Sequence, residues 1–133
     1  MKIWHFNERV YRRWVVLIEG SSEDFAKFLT DSGYKHTDEL EPIVANGMCI
    51  QLTPENTDSS YDCFVVWLRE WNLPTLVHEI THLVIAAMEQ VNTPIHEATT
   101  EQVAYYTEYW FTEFQRVRRK CKNGRTVGEA KRC

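Results

Sequence analysis

The chain has 133 residues, of which 44% are hydrophobic, 13% aromatic and 26% charged, a balance that suits one globular domain and leaves no room for a second core. Five Gly and four Pro exclude collagen-like and low-complexity chains, and no apolar run approaches the roughly 18 residues of a membrane span. The net charge of −4 conceals a division: residues 116–133 hold eight Lys or Arg against Glu129, while the first 115 residues hold seven cations against 18 carboxylates.

The segment Met1 to Glu8 has one cation and no apolar centre, so it does not read as a signal peptide. With only four scattered cysteines (Cys49, Cys63, Cys121, Cys133) and no C-x-x-C spacing, the chain is expected in a cytoplasm. Cys49 and Cys63 fall on consecutive apolar runs and read as small buried residues rather than a bridge.

Val10 to Glu19, centred on Trp14-Val15-Val16-Leu17-Ile18, reads as a strand ending at Gly20. Ser21-Ser22-Glu23-Asp24 supplies an N-cap and an acidic first turn, Phe25, Phe28 and Leu29 recur at helical spacing, and Gly33 fits the residue past the helix end. A helix over about 22–32 follows, then a polar loop over 35–46. Gly47 to Thr53 and Tyr61 to Arg69 are two more apolar runs, separated by turn-forming residues 54–60, and read as an antiparallel hairpin. From Pro74 the period becomes helical through Leu76, Ile80, Leu83, Val84, Ala87, Met88 and Val91, ending before Pro94. Thr99 can cap a last helix with the stripe Val103, Tyr106, Trp110, Phe114 and Val117. The expected fold is α+β: a small mixed or antiparallel sheet of about three strands packed on two long helices. Residues 1–115 would form the domain, and 116–133 a basic helix end and flexible tail.

Leu76-Val77-His78-Glu79-Ile80-Thr81-His82 contains H-E-x-x-H. On a helix, positions four apart lie one turn above the other, so His78 and His82 could hold one Zn²⁺ while Glu79 reaches a metal-activated water as general base. Val77 falls with the apolar residues on the side opposite the histidines, Ile85 lies next to the histidines, and Leu83 and Ala86 border Glu79, so the helix is expected to be apolar nearly all round and buried. Two imidazoles and a carboxylate there would need partners, at about 1–3 kcal/mol for each unsatisfied group, and a metal would supply them. The plainer reading is coincidence, with half-buried histidines and a solvated Glu79.

A third zinc ligand is required, leaving a fourth position for water. Glu101, 19 positions after His82 in the first turn of the last helix, is the leading choice, with His96 in the linker as the rival. Tyr105 and Glu108 share the Glu101 face and could contact the ligands or the substrate.

His78-Glu79-x-x-His82 with a downstream Glu resembles the gluzincin branch of zinc metallopeptidases. The order Phe64-Val65-Val66-Trp67-Leu68, H-E-x-x-H, Thr93-Pro94-Ile95 and Glu101-Gln102-Val103-Ala104-Tyr105 is similar to small bacteriophage-encoded zincin-like proteins. Their Asn-Gln-Glu stands here as Thr99-Thr100-Glu101, with the Glu kept. The resemblance implies a zincin-like fold, one Zn²⁺ on His78, His82 and Glu101, and Glu79 as the catalytic residue. It also implies a sheet edge beside the helix, with Gly47 to Thr53 in that role, against which a peptide substrate pairs. The expected activity is zinc-dependent hydrolysis of peptide bonds. The alternative is a non-catalytic zincin-like module that engages a host or virion protein. The basic residues 116–133 would also suit nucleic acid, although a solvated tail is the plainer account.

Overall fold

Two strands carry apolar residues without alternation, and the reason is their position. In the computed structural model, which describes residues 1–40, 44–58, 60, 62–93 and 95–122, β2 (Arg13–Glu19) and β4 (Cys63–Leu68) form the middle of a four-stranded sheet. Their order is β1-β2-β4-β3, with β1 at Lys2–Glu8 and β3 at Gly47–Leu52. β1 pairs antiparallel with β2, β2 parallel with β4, and β3 antiparallel with β4. The central strands are covered on both faces, so Val15 to Ile18 and Phe64 to Leu68 are all buried.

One face receives α1 (Ser22–Asp31). Ser21 and Asp24 form a reciprocal cap at its start, with Ser21 Oγ accepting from Asp24 N–H at 3.1 Å and Ser21 N–H donating to the Asp24 carboxylate at 3.2 Å. Phe25 stacks on Trp67 with centroids 4.9 Å apart and planes 2° from parallel. Gly33, at φ +78°, ends the helix in the left-handed region. The opposite face receives α2 (Leu73–Gln90) and α3 (Thr100–Lys122). There Trp4, Phe6, Leu17, Phe64 and Val66 meet Leu76, Ile80, Leu83, Trp110, Phe114 and Val117 in the larger core. α2 contacts β3 and β4. The ring of Trp110 on α3 meets that of Phe6 on β1 edge-on at 5.7 Å. Among the described residues no helix is long and apolar enough to cross a membrane.

The α+β class holds, but the sheet has four strands rather than three. The additional strand is β1, which alternates Trp4, Phe6 and Glu8 toward the α2–α3 face. A carboxylate closing that inward series breaks the apolar pattern. The polar stretch after α1 contains a short 3₁₀ turn, Thr37–Leu40, and a second one, Glu97–Thr99, precedes α3.

At its far end α3 stays attached to the sheet. Arg118 donates to both oxygens of Glu19, at 2.7 and 3.1 Å, and its guanidinium lies 5.4 Å from the Trp71 ring centre. Arg116 pairs with Glu113. Two cations of the basic segment are therefore engaged within the chain. The flexible tail expected after Lys122 lies outside the described residues. Cys49 and Cys63 are free and partly buried, pairing across the hairpin with Val66 and Leu52 respectively and not with each other.

Candidate metal centre and catalytic cleft

α2 begins where Asn72 accepts a hydrogen bond from Thr75 N–H at 3.1 Å, and Pro74 sits in the first turn, where no amide donor is missed. From this start Leu76, Ile80, Leu83, Val84, Ala87 and Met88 point into the core. Val77, His78, Thr81 and His82 face outward. The helix is thus buried on one side only, which corrects the expectation of a helix buried all round. Val77 is 47% exposed because the sheet covers the other side. The histidines are solvent-accessible, so burial does not require a metal to compensate them.

Glu79 behaves in the opposite way. It is 5% exposed and turns toward β3, where its carboxylate faces the Cys49 backbone N–H. Burial pushes its pKa above the ordinary carboxylate value, while His78, His82 and the Cys49 N–H each draw it back. Its Oε1 lies 4.0 Å from His78 Nε2. The solvated Glu79 of the coincidental reading is therefore not what the fold contains.

The His78 and His82 rings stand 4.9 Å apart at 72°, with their Nε2 atoms 3.3 Å from each other. Two imidazoles can share a proton at that separation. It is also the separation of two nitrogens held at about 2.0–2.1 Å by one tetrahedral zinc, for which geometry gives about 3.3–3.4 Å. The Nε2 separation is thus compatible with one metal held between the two rings.

β3 is an edge strand, as the resemblance implies. Asn46 O accepts from Arg69 N–H on the β4 side, so the alternate residues Gly47, Cys49 and Gln51 turn their backbone groups away from β4. One hydrogen bond agrees with this: Gln51 C=O accepts from the Asn56 side chain at 2.9 Å. A cleft of about 370 Å³ runs between this edge and α2, lined by Met48, Cys49, Gln51, Phe64, His78 and His82 among others. A second hollow, bordered by Asn46, Pro74 and Thr75, continues it and shares Gly47, His78 and Glu79.

Gly47 is a site residue that motif reading passes over. A Cβ there would stand 2.7 Å from Thr75 Cγ2, 3.0 Å from Trp67 O and 3.1 Å from Glu79 Cγ. Glycine lets α2, with Thr75 and Glu79, lie this close to the edge. The available signal was a glycine opening an apolar strand run, which marks close backbone approach.

The remaining sequence-selected residues lie elsewhere. His96 caps the 3₁₀ turn before α3, its Nδ1 accepting from Ala98 N–H at 3.2 Å. Glu101, Tyr105 and Glu108 lie on α3 and are exposed. Tyr105 lines a different cavity, beside the β1–β2 turn. Among the described residues no group of three His, Cys, Asp or Glu is gathered that could hold a metal. The structure brings together His78, Glu79 and His82, and does not bring Glu101, His96, Tyr105 or Glu108 into the cleft lining.

Comparison with protein-family models, with curated proteins and with solved structures finds no match to this chain.

Proposed function

We propose that the chain is a zinc-dependent peptidase of zincin-like design. The observation that carries this reading is the 3.3 Å separation of the His78 and His82 Nε2 atoms on an open cleft, with the buried Glu79 carboxylate beside them. The chemistry supplied by zinc bound there is Lewis acidity, which makes a water acidic enough to lose a proton near neutral pH. Glu79 would be the group placed to take that proton and return it to the leaving amine, a role favoured by burial that raises its basicity. The outward backbone groups of β3 offer an extended peptide a strand to pair with, directly beside the histidines.

His78 and His82 are the two ligands supported by geometry. Glu101 is proposed as the third on the sequence pattern. Glu101→Ala should weaken zinc affinity about tenfold or more, and His96→Ala should leave it nearly unchanged, as read by competition with a chelating dye. The reverse ranking would assign the third position to His96.

The activity is tested by digesting a peptide library with wild type and Glu79→Gln at matched zinc content, read by mass spectrometry. An amide cannot accept the proton, so hydrolysis should fall by about 10²–10⁴-fold while the metal stays bound. Unchanged cleavage in the variant would contradict the assignment of Glu79. If neither protein cuts and both retain the same host or virion protein, the binding-module reading replaces the peptidase.

A further inference from the structure

Seven cations stand among the first 115 residues, and three of them, Arg9, Arg12 and Arg13, fall within five positions where β1 turns into β2. The other four are engaged. Lys2 pairs with Glu19, Lys27 with Asp31 and Lys35 with Asp58, while Arg69 donates to Ala45 O and lies over the Trp67 ring. Among the described residues none of the three turn arginines forms an ion pair, and the buried Nε of Arg13 has no acceptor. Arg9 and Arg12 are exposed. Glu8, the nearest carboxylate in sequence, is 3% exposed and taken up by the turn amides and the Tyr106 hydroxyl. An acidic body thus carries one local excess of positive charge at this turn.

The backbone adds a second observation. Arg12 adopts φ +54°, in the left-handed region where glycine meets no steric cost and a larger residue does. Nothing within the fold pairs with its guanidinium in return, so the side chain is held for a purpose outside the fold.

The third observation is aromatic. Trp14, at the start of β2, lies on the α1 face of the sheet beyond the helix cover: Val16 and Ile18 are buried on that face, and Trp14 is 54% exposed. Its ladder partner is Asn7, also exposed, so an amide stands beside the indole ring on one surface.

We propose that this end of the sheet binds single-stranded nucleic acid, with Arg9 and Arg12 on phosphates and one base stacked on Trp14. Guanidinium groups match phosphate oxygens in pairs, and a side-chain amide offers a donor and an acceptor to a base edge. A duplex keeps its base faces covered and has none to offer Trp14. An acidic peptide would use the arginines and leave the ring bare. An anionic bilayer is a plane, and it would be pressed against the exposed Asp62, which adjoins the other ladder partner of Trp14, Cys63. A single strand is narrow enough to pass that carboxylate.

The test is fluorescence anisotropy of a labelled oligothymidylate of about 12 nucleotides with the full chain, repeated across salt concentrations. Binding should weaken with salt. Arg12→Gly should weaken it about threefold to fivefold and flatten the plot of log affinity against log salt by about 0.7. Because glycine suits φ +54°, the same variant should unfold at the same urea concentration as wild type or a higher one. Trp14→Ala should weaken binding about tenfold, and Trp14→Phe should stay within about threefold of wild type. Arg119→Ala with Lys120→Ala serves as the control, since these exposed residues follow Arg118 at the opposite end of β2 and should matter less than Arg12. Binding abolished by the control pair and untouched by Arg12→Gly would assign it to the basic end of α3 and overturn the proposal. Absence of saturable binding, tighter binding of the matched duplex, an unaffected Trp14→Ala variant, or sedimentation with phosphatidylserine vesicles in place of oligonucleotide binding would overturn it as well.

Discussion

The two edges of the sheet each bury one glutamate, and the two are held differently. Glu8, on β1, is clamped by two backbone amides and the Tyr106 hydroxyl from α3. Glu79, beside β3, has one backbone N–H and two imidazoles near it, and it opens onto a cleft. The same side chain at similar burial thus serves two ends. Full satisfaction makes Glu8 a fixed support of the β1–β2 turn. Partial satisfaction leaves Glu79 with lone pairs to spend and a raised pKa, the properties of a base.

This contrast can be broken by substitution. Glu8→Ala removes the acceptor of three donors at once, one of them the buried Tyr106 hydroxyl, and should cost about 2–4 kcal/mol in urea unfolding. Glu79→Gln keeps an acceptor for Cys49 N–H and removes a poorly compensated charge, so in the metal-free protein the same measurement should move by less than about 1 kcal/mol. Equal losses at the two sites would erase the distinction.

Gly47 sharpens the cleft side of the comparison. Gly47→Ala forces a methyl against Thr75, the Trp67 carbonyl and Glu79, and should cost about 1–3 kcal/mol. Amide shifts should spread from β3 into the first turns of α2, leaving the β1–β2 turn undisturbed. Shifts confined to residues 46–48 would mean that Glu79 does not depend on this approach.

Much of this architecture is legible in the chain. Continuous apolar runs located β2 and β4, turn residues located the β3–β4 hairpin, and the stripe Tyr106, Trp110, Phe114, Val117 located the face of α3 that is buried. β1 escaped because its inward series ends in Glu8, and a polar residue on the core face looks like a loop until Tyr106, 98 residues away, supplies its partner. The face of α2 was misjudged for a related reason. Val77 and Ile85 are as apolar as core residues, and composition alone does not say that α2 has the sheet on one side only. The neighbours of Glu79, Gly47 and Cys49, lie 30 or more positions earlier and come together with it only through the sheet register.

The central claim is that His78 and His82 are preset for a metal, and zinc titration by isothermal calorimetry tests it most directly. Wild type, stripped of metal, should bind about one Zn²⁺ per chain, and His78→Ala, whose side chain is two-thirds exposed and not needed for packing, should fold normally and lose that binding. Wild type that takes up no stoichiometric zinc, or a His78→Ala variant that binds as tightly as wild type, would contradict it.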